Sequence, residues 1–382
     1  MAVISFKCPN CDGELIFDPS TQKYKCEYCF SLFSQEELDA MKPAQTTEPQ
    51  NADAAGAGKA SGKPEDEKQS QPGNKAGSGT EKDNTENKES DKEADAVTYT
   101  CPSCGAQIVT DATTAATFCY YCHNPVVLGG RLEGKFLPDQ VIPFSVSRED
   151  AEKGFKDYVC RKKFVPRAFY NKKQVESITG VYFPYWHYNT SLEGKMQGEA
   201  RNIRVWRTGN TEYTETKYYQ VSREGDVKLE NLTENALGKA NQELICGVMP
   251  YDFKDVKKFQ LGFLSGFLAE KRDIEKKQIE KKVQQEARES AEKLMREQIN
   301  GYSSVSVKNA DFRALKEKWS YTLLPVWTIT YKAKNGKIYY FSMNGQTGKV
   351  YGELPTDYKK ISLVSGIVSL VTLIILLLGG LA

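Results

Sequence analysis

Eight of the ten cysteines in this 382-residue chain form two blocks that share one spacing. In each block, two Cys-x-x-Cys pairs are separated by 14 residues; the blocks are Cys8, Cys11, Cys26 and Cys29, and Cys101, Cys104, Cys119 and Cys122. Both sulfurs of one such pair can meet a single ion, and two pairs close a tetrahedral shell of four thiolates. The spacing therefore predicts two structural Zn²⁺ sites, with disulfides as the alternative.

Each cysteine block is predicted to be a zinc ribbon, a unit of short strands around two metal-binding turns. The first ribbon covers residues 1–42 and the second covers residues 98–130. Units of this size bury too little apolar surface to fold alone, so the metal must supply most of the stability. Comparable small sites gain about 10–16 kcal/mol from zinc binding at neutral pH.

Little else in the sequence suggests catalysis. The chain has two histidines, which leaves little room for His-based catalysis. Cys119-Tyr-Tyr-Cys122-His123 matches the attachment motif of c-type haem, but haem would leave Cys101 and Cys104 without a role. His187, among aromatic residues, is interpreted as a sheet residue. We expect no enzyme activity, no catalytic residues and no cofactor besides zinc.

The two ribbons are joined by a polar segment, residues 43–97. It contains no aromatic residue, Leu, Ile or Met, so it cannot bury enough apolar surface to offset its ordering entropy. We predict a disordered linker, which would make the first ribbon a mobile head.

The net charge of +2 conceals an uneven distribution. Residues 1–130 carry 11 basic and 20 acidic residues, whereas residues 131–382 carry 41 basic and 30 acidic residues. The second ribbon contains no Lys or Arg. Nucleic-acid binding depends on neutralising phosphates, so the ribbons are expected to bind protein partners instead. A nucleic-acid-binding protein related to replication or transcription factors is the alternative.

The C-terminal segment is predicted to anchor the chain in a membrane. Residues 361–382 carry no charge and are rich in Leu, Ile and Val. As a helix, 22 residues extend about 33 Å, enough to cross the hydrocarbon layer. Lys359 and Lys360 precede the segment, and the positive-inside rule then places the body in the cytoplasm. Residues 357–382 are therefore expected to be a single-pass tail anchor, with a buried core helix as the alternative.

The body, residues 131–356, is predicted to be α+β. Ser147-Arg-Glu-Asp150 resembles a capping box that opens an amphipathic helix. Residues 153–173 then hold eight basic residues and one acid, with aromatic residues interleaved. The favoured interpretation is a solvated helix with its aromatics in the core. A surface that faces anionic lipid is the second interpretation, and RNA binding is the third.

Most of the remaining body is expected to be an antiparallel β structure. Strand-like segments run from Gly180 to about Asn231, and Asn335-Gly336 predicts a hairpin turn near the end of the body. A helical insert is predicted over about 252–300. Its thin apolar stripe suggests a helix that lies along the sheet, or alternatively a helix for self-association. A homo-oligomer is thus one of the expected possibilities.

Several motifs together resemble a bacterial family of membrane-anchored proteins with transcription-factor-IIB-like zinc ribbons. They are Cys101-Pro-Ser-Cys-Gly105, Cys119-Tyr-Tyr-Cys122, Ile142-Pro-Phe144, Gly180-Val-Tyr-Phe-Pro-Tyr-Trp186, Gly262-Phe-Leu-Ser-Gly-Phe-Leu-Ala-Glu270, Leu324-Pro-Val-Trp327 and Asn344-Gly-Gln-Thr-Gly-Lys-Val350. The resemblance covers Cys101 to about Pro355. The family often carries a primosomal-helicase name, although this chain lacks a Walker motif. Its members accompany SPFH-type (virion-core-type) and envelope-stress proteins. The resemblance implies an adaptor that recruits such partners to the membrane.

Overall fold

The computed structural model describes residues 6–41, 97–101, 107–119, 125–132, 134–166, 169, 178–240, 246–332 and 337–379. The strands are β1 (Leu15–Asp18), β2 (Lys23–Cys26), β3 (Leu32–Phe33), β4 (Val97–Thr100), β5 (Gln107–Thr110), β6 (Thr114–Phe118), β7 (Pro125–Val127), β8 (Gln140–Val141), β9 (Thr179–Thr208), β10 (Thr211–Asn235), β11 (Lys257–Lys258), β12 (Leu268–Glu270), β13 (Ser304–Lys332), β14 (Ile338–Asn344) and β15 (Val350–Gly352). The α-helices are α1 (Gln35–Met41), α2 (Arg148–Cys160), α3 (Lys276–Glu297) and α4 (Tyr358–Gly379). The predicted linker lies almost wholly outside the described residues.

Three long strands form the centre of the body. β9 and β13 pair antiparallel from Thr179–Thr328 to Arg201–Ser304, and β10 returns along the other edge of β9. Even-numbered residues of β9 from 188 to 200 face one side of the strand, as its period of two requires. The buried apolar side chains on that face are Tyr188, Leu192, Met196 and Ala200. β9 extends beyond residue 188 together with the segments of β10 and β13 that pair with it there. We call this three-stranded extension the arm.

The short strands attach to the base of this arm and make the sheet mixed. β12 pairs parallel with β9, and β8 pairs parallel with β13, while the other pairings are antiparallel. The predicted α+β class with a mainly antiparallel sheet is confirmed. β6 and β7 of the second ribbon belong to this same sheet through β12. β4 and β5 of the same ribbon pair with each other in a separate two-stranded sheet.

The prediction of a helical insert over about 252–300 is wrong for the first half of that range. Two 3-10 turns and two short strands precede the helix α3, which begins only at Lys276. Gly266 has a φ of 88°, which only glycine adopts readily, and it interrupts the apolar run from 259 to 269. Phe263, Leu264, Phe267 and Ala269 from this run are buried. The run is apolar because it fills the core, and not because it forms one face of a helix.

Helix α3 packs lengthwise on the arm, as its apolar stripe predicts. Its buried side chains step by four residues, from Ile279 through Val283, Ala287 and Ala291 to Met295. Met295 completes the stripe, whereas its apolar neighbour Leu294 remains 43% exposed. Gly194 of β9 leaves room for the Met295 sulfur, since an added Cβ would lie 2.6 Å from it.

Helix α2 begins where its capping box predicts. The Ser147 hydroxyl accepts a hydrogen bond from the Asp150 backbone N–H at 3.1 Å. Phe155 packs against Phe341 of β14, with ring centroids 4.9 Å apart. Tyr158 donates to the Gly352 carbonyl of β15 at 3.0 Å. The β13–β14 hairpin is present, although its Asn335-Gly336 turn lies outside the described residues.

Helix α4 leaves the body beside the end of α2. Its candidate membrane span, Tyr358–Leu377, contains an 18-residue stretch with a mean hydropathy of 2.3, and none of that stretch is buried inside the protein. The span is therefore long and apolar enough to cross a membrane, and it does not lie in the core. Its start is attached to the body, because Lys360 Nζ donates to the Val165 carbonyl at 2.8 Å.

The first ribbon is docked on the body, so the expectation of a mobile head is wrong. The Phe17 backbone N–H donates to the Ser265 carbonyl at 3.1 Å, and the Ser265 hydroxyl donates to the Leu15 carbonyl at 2.5 Å. The Phe17 and Phe263 rings lie edge to face, 5.2 Å between centroids. The ribbon is too small to bury its own aromatic face, so that face is covered by the turn around Phe263.

Glycines in that turn allow the close approach. A Cβ on Gly262 would lie 2.4 Å from the Tyr24 hydroxyl oxygen, and a Cβ on Gly266 would lie 2.2 Å from Ile16 Cγ2. A polar bond on the ribbon's far side completes the dock, since Gln22 Nε2 donates to the Phe144 carbonyl at 2.7 Å.

We expect Phe263→Ala to release the first ribbon. Truncation of a buried Phe costs about 3–5 kcal/mol, and here the lost contacts are those to the ribbon. Hydrogen–deuterium exchange of residues 15–26 should rise while that of α3 stays low. Phe253→Ala is the matched control, because Phe253 stacks on His187 and not on the ribbon. Unchanged protection of residues 15–26 in Phe263→Ala would contradict the docked arrangement.

Candidate metal centre

The first ribbon brings its four cysteines together, as the spacing predicts. The Sγ atoms of Cys8, Cys11, Cys26 and Cys29 all lie within 4.8 Å of one another. Cys8 Sγ is 3.6 Å from Cys29 Sγ, and Cys11 Sγ is 3.5 Å from Cys26 Sγ. Ligands of a tetrahedral ion at 2.3 Å would be about 3.8 Å apart. The cluster is therefore the right size to hold a metal ion.

Two turns of the same geometry present these sulfurs. In the first turn, the Asp12 N–H donates to the Cys8 carbonyl at 2.9 Å, and the Cys8 N–H donates to the Gly13 carbonyl at 2.7 Å. The second turn repeats both bonds, from Phe30 to Cys26 at 3.0 Å and from Cys26 to Ser31 at 3.0 Å. Asp12 and Phe30, the residues after each pair, share a positive φ of 58° and 60°.

Hydrogen bonds from the chain favour the thiolate form of one cysteine in the cluster, Cys29. The hydroxyl and the backbone N–H of Ser31 lower the pKa of the Cys29 thiol to about 6. Burial raises the pKa of Cys8, while the backbone N–H groups of Asn10 and Cys11 act in the opposite direction. Backbone N–H groups aimed at sulfur are what a site for anionic ligands requires, because metals bind the thiolate.

Gly13 keeps the site compact. A Cβ at this position would lie 2.6 Å from the Tyr28 ring, 3.1 Å from Cys26 Sγ and 3.2 Å from Cys11 Sγ. The first turn can therefore approach the second only because residue 13 lacks a side chain. Cys8 and Cys26 are buried on the body side, whereas Cys11 and Cys29 are exposed.

The second block is described only in part. Cys101 and Cys119 are both buried and pack in one cluster with Tyr99, Val126 and Leu128. Cys104 and Cys122 lie outside the described residues, so the four-ligand site stays a prediction.

Arg131 holds the second ribbon together, and the sequence reading overlooked it. Its guanidinium is buried, lies over the Tyr99 ring at 4.9 Å and donates from Nε to the Tyr99 hydroxyl. Nη1 donates to the carbonyls of Asp111 and Thr114. Arg131 thus joins β4 to β6, one residue beyond the boundary predicted for the ribbon. The sequence signal that could have identified Arg131 is that it directly follows a segment without Lys or Arg, residues 98–130.

His187 is a sheet residue, as expected. Gln140 Nε2 lies 2.9 Å from its Nδ1, and its Nε2 lies 3.1 Å from Asn231 Oδ1. Burial lowers the pKa of His187, and its ring stacks on Phe253 at 4.1 Å. Both ring nitrogens have hydrogen-bond partners: Asn231 joins β9 to β10 beside a bulge, and Gln140 joins β9 to β8.

We expect Cys11→Ser to reduce the metal content of the full chain by one ion. A hydroxyl in place of a thiolate removes one of four ligands without changing the size of the side chain. The metal content is measured by elemental analysis after dialysis. Cys160→Ser is the control, because Cys160 is also exposed but lies on α2, away from the cluster. Equal metal content in Cys11→Ser and the parent chain would contradict the site.

Comparison with known proteins adds a relative without a known function. The chain is 28% identical over 259 residues to YdjG, an uncharacterized protein of Bacillus subtilis (strain 168). The alignment covers 66% of this chain and 76% of that protein. No family model matches the chain, and no solved structure matches it. The similarity extends over most of both chains but assigns no activity to either.

Proposed function

We propose that the protein is a membrane-anchored, non-enzymatic adaptor whose zinc ribbons dock protein partners. The observation that carries this proposal is the outer surface of the first ribbon. Tyr28 is 71% exposed, Phe30 is 70% exposed and Leu32 is 44% exposed, all beside the four-sulfur cluster. We call these three residues the ribbon patch. Exposed aromatic groups on a rigid turn are typical of protein-binding surfaces.

The chemistry of the cluster favours a structural metal over a catalytic one. Four cysteine ligands fill a tetrahedral shell, which leaves no position for water or substrate. Thiolates are soft ligands, and an all-sulfur tetrahedral set suits zinc. The proposal extends to a second zinc held by Cys101, Cys104, Cys119 and Cys122. The burial of Cys101 beside Cys119 supports this extension.

The proposed location follows from α4 and its flank. The apolar span is exposed along its length, as a helix surrounded by lipid would be. Lys359 and Lys360 stand at its N-terminal end, which favours a body that faces the cytoplasm. The resemblance to zinc-ribbon membrane proteins suggests partners of the SPFH or envelope-stress type. The ribbon patch would then present a docking surface at a fixed place relative to the membrane.

The adaptor proposal predicts that the ribbon patch retains a membrane partner. Truncation of a central aromatic residue in an interface costs about 2 kcal/mol or more, roughly 30-fold in affinity. Tyr28→Ala should therefore release the partner in a pull-down of the tagged full chain from membranes. Tyr218→Ala on the arm is the matched control, because Tyr218 is also 71% exposed. Partner recovery that is insensitive to Tyr28→Ala and to Cys11→Ser would refute the adaptor role of this ribbon.

The rival function is nucleic-acid binding. It requires tight binding by the full chain that weakens steeply as salt rises, because counterions are released from phosphates. Such binding at 50 mM salt, lost at 200 mM, would favour the rival over the adaptor.

The proposed topology can be tested with a thiol reagent that does not cross membranes. Cys160 and Cys246 are exposed and lie outside both cysteine blocks. We expect a maleimide probe to label them in inside-out vesicles but not in sealed right-side-out vesicles. The variant with Ser at both positions measures the background from the ribbon cysteines. Labelling in right-side-out vesicles would place the body on the opposite side of the membrane.

A further inference from the structure

The foot of α4 is fixed against the chain that follows α2. Lys360 Nζ donates to the Val165 carbonyl at 2.8 Å, and the Asp357 backbone N–H donates to the Phe164 carbonyl at 2.7 Å. These contacts join segments that are 195 residues apart in sequence. The side chains of residues 161–164 therefore lie at the level where α4 begins.

That level is strongly basic. Arg161, Lys162 and Lys163 follow the last residue of α2 and are exposed, and Lys359 is exposed at the start of α4. None of these four forms an ion pair with a residue that the structure describes. Lys360 Nζ, besides its hydrogen bond to the Val165 carbonyl, lies 3.7 Å from the Asp357 carboxylate. We call Arg161, Lys162, Lys163, Lys359 and Lys360 the cationic collar.

Aromatic side chains occupy the same level. Phe164 is 36% exposed and Tyr358 is 76% exposed, one from each of the two joined segments. Aromatic rings are enriched where a transmembrane helix meets the headgroup layer, because one part of the ring is apolar and another is polar. Their position beside the collar indicates a surface that faces lipid headgroups and not bulk water.

A simpler explanation accounts for only part of the collar. Lys359 and Lys360 are the ordinary basic flank of a membrane span, and basic residues after α2 stabilise the negative end of the helix dipole. Neither effect requires the basic end of α2 to be attached to the foot of α4. The bonds from Lys360 to Val165 and from Asp357 to Phe164 attach the basic end of α2 to the foot of α4. They thereby bring five cations together around one helix.

We propose that the cationic collar binds the headgroups of anionic phospholipids. The inference rests on the proposed function in one respect, that α4 crosses a membrane. The bound group is the phosphodiester of a lipid with a net negative charge. Each Lys or Arg close to the membrane surface raises the affinity for such lipids about fivefold over a neutral residue. The collar thereby sets the orientation of the body on the lipid surface as well as its attachment.

The test uses the full chain in nanodiscs with equal amounts of phosphatidylcholine and phosphatidylglycerol. After mild extraction, mass spectrometry measures the ratio of the two lipids that remain bound. We expect phosphatidylglycerol to be enriched at least fivefold in the parent chain. Arg161→Gln, Lys162→Gln and Lys163→Gln together should lower this enrichment severalfold, to the level that Lys359 and Lys360 alone support. Conservative Lys162→Arg and Lys163→Arg should preserve it.

The matched control removes three charges elsewhere. Lys277→Gln, Lys281→Gln and Lys293→Gln change exposed lysines of α3, which also form no ion pair with a described residue. This variant should keep the enrichment, because α3 lies on the arm. A salt series on the parent chain needs no variant: the enrichment should fall as the Debye length shrinks from about 10 Å at 0.1 M to about 3 Å at 1 M.

The outcomes separate this inference from the proposed function. If the chain floats with phosphatidylcholine vesicles but shows no preference for phosphatidylglycerol, the collar proposal is overturned and the anchor stands. If the chain fails to float with any vesicle, both are overturned. If the collar variant loses co-purified RNA but keeps the lipid preference, the collar binds nucleic acid and the lipid proposal is wrong.

Discussion

The antiparallel pairing of β9 with β13 is the constraint on which the rest of the molecule depends. Its register runs from Thr179–Thr328 to Arg201–Ser304, so one ladder spans both the base and the arm. β8, β12 and β14 pair with this ladder at the base. Along the arm, β10 pairs with the free edge of β9 and α3 packs on the face. Because side chains alternate between faces, a slip of one residue would turn the buried stripe of β9 towards solvent.

The first ribbon depends on two different forces. Within it, two turns with the same backbone hydrogen bonds bring four sulfurs within 4.8 Å of one another, at the size of a metal site. Outside it, the aromatic face around Phe17 is covered by Phe263 and by two glycines that permit close approach. The outer face is left with the ribbon patch. One ribbon thus gathers four potential metal ligands in its own turns and uses apolar contacts for its position on the body.

Local patterns predicted the features that are decided within a few residues. The cysteine spacing, the Ser147 cap and the uncharged span of α4 each need only neighbours in sequence, and each is found where expected. The docked ribbon could not be predicted in this way, because Phe17 and Phe263 meet only through the fold. The apolar run before α3 was misread as helix because buried turns and buried helices have the same composition.

The docked ribbon also has a consequence for the order of folding. The sulfurs of Cys8 and Cys29 close a loop of 21 residues, whereas the bond between Ser265 and Leu15 spans 250 residues. Loop-closure entropy makes the longer contact about 2 kcal/mol harder to form from an open chain. The ribbon can therefore assemble early, but it has no surface to dock on until the chain around Ser265 has folded. A docked ribbon marks a completed body, and a partner that touches ribbon and body together would distinguish finished molecules from folding intermediates.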